Sequence, residues 1–205
     1  MRIRFTTFAA AIMLAAAPLH AQTSITLVSS GTVVAGGYYV GPYNGLMGSP
    51  GQDVLLNCVD FLHHVTVGEN WNAYLTAVSD VGTAGSHARS SDPLLYQKAA
   101  WLISQYPGKS DADIADIQET IWNLFAPAAP DPSSSYWFDQ ATANYSAAAL
   151  FENWYVVTDT RAGGQYDAES AQEFLVVTPE PTSITLLATG LLGIFGAARR
   201  KRQNG

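Results

Sequence analysis

The residue pattern predicts an α+β fold: a single domain of mostly antiparallel strands carrying an antiparallel pair of helices. Three observations predict it. Short runs rich in β-branched and aromatic residues, bounded by turn formers, stand on both sides of one helical block. Within that block, residues 93–106 and 111–125 repeat apolar side chains at the helical period, with Pro107-Gly108 between them, so the two helices fold back on each other. The chain has 205 residues, and both of its ends read as export segments, which leaves 22–178 as room for one core.

Taken in order, Ser24–Val28 and Thr32–Ala35 read as short strands, and Gly36-Gly37 breaks them. Tyr38 to Gly45 sets aromatic residues among turn formers, and its tyrosines suit packing or stacking on a sugar or peptide. Met47–Asp53 reads as a turn. Val54 to Phe61 is an apolar run that predicts a buried strand, and it holds Cys58, the one cysteine of the chain. Residues 61–68 continue as strand or loop. They contain His63 and His64, which adjacency would point to opposite faces of a strand. No cysteine or acid at ligand spacing completes a metal set around them, so no metal and no cofactor is expected. Trp71–Val78 alternates as a strand, and Gly82–Ser91 is small and polar, a loop.

Asp92-Pro93 starts the first helix, with aspartate as cap and proline at the first position. Ser110 caps the second, three positions before Asp113. On that helix Ile114, Ile117, Ile121, Trp122, Leu124 and Phe125 share one broad arc. Gln118 falls among them, roughly 40° from Ile114, and a buried amide must find partners. Residues 126–135 form a Pro/Ala/Ser loop, 139–153 a third helix, and 154–160 and 173–177 two strands around the loop 161–168.

Residues 1–21 read as a secretory signal peptide: Arg2 and Arg4, an apolar centre, then a small residue at Ala21. The other end runs Pro179-Glu180-Pro181, an apolar stretch 182–198, then Arg199-Arg200-Lys201-Arg202 as a basic stop. The stretch is adequate for a thin or tilted membrane helix with its basic end cytoplasmic. The formal net charge is −7. Between 22 and 178, however, four basic residues (Arg89, Lys98, Lys109, Arg161) face sixteen acids, a balance of −12. That balance repels nucleic acid and anionic membrane surface, and suits partners that are cations or amines. One cysteine permits no internal disulfide in a compartment that allows them, so its thiol needs another account.

Two resemblances supply one. The tail 179–205 resembles the PEP-CTERM sorting signal of Gram-negative bacteria. This implies recognition by an exosortase-type membrane protease, cleavage near Pro-Glu-Pro, an inner-membrane intermediate, and delivery to the cell surface or extracellular matrix. Cys58-Val59-Asp60 together with Gln118-Glu119-Thr120-Ile121-Trp122 resembles the paired motifs of bacterial thioester domains, across about 37–177; Ile117 stands where that family often carries Thr or Ser. This second resemblance implies a thioester-domain-like fold and an internal thioester between Cys58 and Gln118, sheltered by Trp122 and Ile121. His63 or His64 is the candidate assisting base, and a backbone N–H the expected donor to the amide oxygen.

The expected function is that of an exported adhesin-like module, not an enzyme. It would capture surface amines, or hold an extracellular polysaccharide or protein matrix. The alternatives are a non-covalent matrix module with Cys58 and Gln118 as core residues, and a cysteine hydrolase pairing Cys58 with His63, His64 or His87.

Overall fold

The structure is a computed structural model, and it describes residues 22–145, 153–162 and 169–178. Strands β1 (Gln22–Ser29), β4 (Pro42–Met47), β5 (Gln52–Cys58), β6 (Asn70–Ala77), β7 (Trp154–Asp159) and β8 (Phe174–Val177) form a closed antiparallel barrel in the order β1-β4-β5-β8-β7-β6. Strands β2 (Val33–Ala35) and β3 (Tyr38–Val40) form a separate hairpin. A 3-10 turn (Val78–Asp80) and helices α1 (Pro93–Ile103), α2 (Asp111–Phe125) and α3 (Tyr136–Asn144) lie between β6 and β7.

This corrects the α+β expectation and the thioester-domain-like fold attached to it. The strands do not form an open sheet carrying a helix pair. They close on themselves, because β1 pairs with β6 from Gln22↔Tyr74 to Thr26↔Asn70 while also pairing with β4. Closure removes both sheet edges and leaves an interior that side chains must fill. The expected turn at 47–53 is shorter: β4 and β5 pair up to Met47↔Gln52. Residues 61–68 are loop, not strand. The third helix begins three residues earlier than expected, and the rest of that expectation, beyond 145, lies largely outside the described residues. So do most of 161–168, the signal segment through 21, and everything from 179 onward, including the apolar stretch. Among the described residues no helix is long and apolar enough to cross a membrane.

The core has two compartments. Inside the barrel, Ile25, Leu27, Tyr43, Leu56, Cys58, Trp71, Val157, Phe174 and Val176 pack together. Between barrel and helices, Val59, Tyr96, Leu102, Ile117, Ile121, Trp137, Val156 and Leu175 form the second. Successive residues of β7 and β8 alternate between the two, as strand geometry requires when both faces are covered. Cys58 and Val59 part in the same way. α2 serves both: Ile117 and Ile121 face the helical compartment, while Trp122 reaches into the barrel one. Gln118 stands at the seam.

The helix starts follow their sequence signals. Asp92 accepts from the Leu94 N–H at 2.9 Å, and Ser110 accepts from the Asp113 N–H at 3.2 Å. Asp111 and Asp113 also sit in the first turn of α2, where the dipole favours negative charge.

Candidate functional site

Cys58 ends β5, opposite Phe174 of β8. Its side chain is 1% exposed and Gln118 is 0% exposed. The thiol donates to the Asp60 carbonyl at 3.2 Å and accepts from the Trp122 indole N–H at 3.4 Å. Gln118 Nε2 donates to the Cys58 carbonyl at 2.8 Å, and the Tyr106 hydroxyl donates to Gln118 Oε1 at 2.9 Å. The amide orientation is unambiguous: a carbonyl oxygen only accepts, so Nε2 must face Cys58, Oε1 must face Tyr106, and the phenol must be the donor.

Burial sets the protonation of this group. It pushes the Cys58 thiol up to about 12, the Trp122 hydrogen bond pulling the other way and nearby Asp60 adding to the rise. Burial also holds the Tyr106 phenol well above its ordinary value. Both groups are therefore neutral at physiological pH. Tyr106 stays a hydrogen donor, and Cys58 stays a thiol that reagents cannot readily reach or ionise.

The structure thus brings Cys58, Gln118 and Trp122 together across 60 positions of sequence. Ile121 lies fully buried in the helical compartment behind them. Tyr106 is the residue that sequence reasoning missed; the oxygen's partner is a phenol, not a backbone N–H. A tyrosine on a buried stripe needs a partner for its hydroxyl, and that was the available signal.

The two histidines part company. His63 is buried, with Nδ1 2.6 Å from Asp60 Oδ2. Its Nε2 faces Arg89 Nη1 at 3.3 Å; a guanidinium only donates, so Nε2 accepts and the ring proton is on Nδ1. Arg89 Nε lies 3.2 Å from Asp60, and Arg89 Nη2 donates to Ser170 Oγ and the Ala171 carbonyl. Glu173 continues this network, accepting from Tyr96 (2.6 Å), Thr158 (2.7 Å) and the Arg89 N–H (2.8 Å). Burial raises the Glu173 pKa in spite of those three donors. His64 instead is exposed and lies parallel to the Tyr38 ring at 6.3 Å. His87 stacks on Tyr74 at 3.7 Å. The sulfur's own hydrogen bonds go to an indole and a carbonyl. Among the described residues no group of three or more potential ligands is placed to hold a metal ion.

Residues 177–202 match the PEP-CTERM protein-sorting motif. The match covers Pro179-Glu180-Pro181, the apolar stretch and Arg199-Arg200-Lys201-Arg202, and marks the chain as an exported, exosortase-sorted surface protein. No curated protein and no solved structure matches the chain.

Proposed function

We propose that the processed protein is a surface adhesin-like module that forms a thioester between Cys58 and Gln118 and uses it once, to bind an amine covalently. The observation that carries this reading is the clamped, fully buried Gln118 amide, with Nε2 on the carbonyl of Cys58 and the Tyr106 hydroxyl on its oxygen. The route is processing by the exosortase at an inner-membrane stage of a Gram-negative cell, then display at the surface or in the extracellular matrix.

The step balances without a co-reactant. The Cys58 sulfur attacks the Gln118 carbonyl carbon, and Tyr106 stabilises the negative charge that develops on Oε1. The C–N bond breaks, and the thiol proton leaves on the amide nitrogen as ammonia. Amides are poor electrophiles, so positioning and a preset donor must supply the acceleration; one such donor is worth about 10²–10³ in rate. Trp122 covers the sulfur against water. An arriving primary amine reverses the chemistry: nitrogen bonds to the Gln118 carbonyl carbon, the C–S bond breaks, and the amine proton ends on sulfur.

One observation favours a second reading, a non-covalent matrix module. Each polar atom of the Gln118 side chain has a partner, so a satisfied core amide explains its burial as well. Intact mass separates the two: the thioester form is one ammonia lighter than its sequence, and the core-amide form has full mass. Thiol labelling does not separate them, because Cys58 is buried and un-ionised either way.

A further inference from the structure

A cavity of about 350 Å³ has in its wall Trp122, the residue whose indole N–H bonds the Cys58 sulfur. Its walls include Tyr38, Tyr39, Phe61, His64, Thr66 and Trp122. The rings are held against one another: Phe61 is tilted on Trp122 at 5.2 Å, and Tyr38 is edge-on to Phe61 at 5.2 Å and to Trp122 at 6.1 Å. Tyr38 and Tyr39 nevertheless stay 41% and 58% exposed.

The β2–β3 hairpin presents these tyrosines. It turns at Gly36 (φ 57°) and Gly37 (φ 88°), a backbone that favours glycine, and it packs on α2. The Tyr43 hydroxyl ties the hairpin down by donating to the Tyr39 carbonyl at 2.7 Å.

The lining combines aromatic surface with polar side chains, Ser30, Thr66, His64, Gln172 and the tyrosine hydroxyls, and among the described residues it holds no lysine, arginine or carboxylate. Ring faces bordered by uncharged donors and acceptors suit an uncharged polyhydroxylated ring, whose C–H face stacks while its hydroxyls bond. A long alkyl ammonium would find apolar wall but would leave the hydroxyl and amide groups of the lining without partners. The cavity shares Trp122 with Cys58, whose sulfur accepts from that indole; Cys58 and Gln118 are themselves buried behind it, so the indole must swing aside for an amine held in the cavity to reach the Gln118 carbonyl carbon. The −12 balance of residues 22–178 adds a long-range attraction for that amine while protonated.

We infer that this cavity receives an amino-sugar unit of a glycan, a pyranose carrying a free primary amine, and presents that amine to the Cys58–Gln118 linkage; the covalent half of this rests on the thioester reading. The amine, once deprotonated, bonds to the Gln118 carbonyl carbon, and the sulfur leaves with the second proton. The first proton goes to water or to His64, the titratable imidazole exposed in the cavity wall.

The test uses the exported, processed protein and three probes: a de-N-acetylated chitosan oligosaccharide, its fully N-acetylated counterpart, and cadaverine. Binding to the Cys58→Ser protein, which is incapable of capture, is read by calorimetry and tryptophan fluorescence. Both oligosaccharides should bind it saturably, and Tyr38→Ala on that background should weaken them about tenfold, as the loss of one aromatic contact predicts, while Tyr38→Phe should not. In the protein with Cys58 intact, only the free-amine oligosaccharide should add its mass, and Tyr38→Ala should lower its rate relative to methylamine about tenfold. Failure of Cys58→Ser to bind either oligosaccharide overturns the inference, as does faster capture of cadaverine than of the oligosaccharide by a protein that shows the ammonia deficit. A full-mass protein that still binds both oligosaccharides through Tyr38 upholds the glycan site and removes the thioester instead.

Discussion

Two buried polar clusters flank Cys58–Asp60, and they are built on opposite principles. On one side Cys58, Gln118, Tyr106 and Trp122 form a neutral group of four, joined by single hydrogen bonds across the seam between barrel and helices. On the other, Asp60, Arg89 and Glu173, with the His63 ring between Asp60 and Arg89, form a network of ionisable groups with several contacts per residue. The charged side ties the long β6–α1 loop to β8 through Arg89 and Glu173. It behaves as a clamp, and its carboxylates are committed to partners. The neutral side is held by hydrogen bonds between uncharged groups. The contrast teaches that, where several polar groups are buried, the functional candidate is the group whose chemistry is not used up in holding the fold.

The largest loss of stability should come from the charged side. Glu173→Ala leaves the Tyr96 and Thr158 hydroxyls and the Arg89 N–H without their acceptor and Arg89 undercompensated. It should lower stability by about 3–5 kcal/mol, measured as a denaturant midpoint. A loss under about 1 kcal/mol would show that the network is not the clamp.

On the neutral side, Cys58→Ala should cost about 4 kcal/mol if a cross-link closes the loop to Gln118, against about 1 kcal/mol for trimming an uncross-linked sulfur from the core. Gln118→Glu should show a comparable loss, since it keeps the shape but has no ammonia to expel. Tyr106→Phe comes next. It removes one hydroxyl and leaves Gln118 Oε1 without its donor. Thioester formation should slow about a hundredfold, so freshly made protein should carry full mass and gain the deficit slowly, followed by time-resolved mass spectrometry.

The smallest effect is in pH. The Glu173 carboxyl is raised by burial. A group raised on folding contributes stability that is fully present below its unfolded value and is lost as pH rises through its folded value. The processed protein should therefore lose some stability as pH rises out of the carboxylate range, and Glu173→Gln should flatten that slope in thermal melts taken across pH.

How much of this was legible depends on whether the signal was local. The α2 helix was, because Ser110, the first-turn acids and the apolar arc all lie within one segment, and that arc put Gln118 inside before any contact was known. Pairing of Cys58 with Gln118 came from resemblance of two short motifs, since periodicity alone joins no strand to no helix. Barrel closure was not legible. It depends on register between β1 and β6, and between Asn57 and Leu175 of β5 and β8, which are 118 positions apart. No window of sequence contains such a pairing. Tyr106 was hidden for a smaller reason: on an apolar stripe its ring accounts for its place, and its hydroxyl was left without an assigned partner. Arg89 lay in a stretch of small residues that reads as flexible loop, although a guanidinium there, one of only four basic residues between 22 and 178, was a sign of an acid partner.

The central claim is the Cys58–Gln118 linkage, and the intact mass of the processed protein, isolated under mild, amine-free conditions, tests it most directly. The processed protein should have a mass one ammonia below that of the sequence, restored to the full value by Cys58→Ala and raised by one methylamine on treatment with that amine. Full mass, with Gln118 still read as glutamine in the peptide spanning Ile117 to Trp122, would contradict it; glutamate at that position would instead mark a thioester that had formed and been hydrolysed.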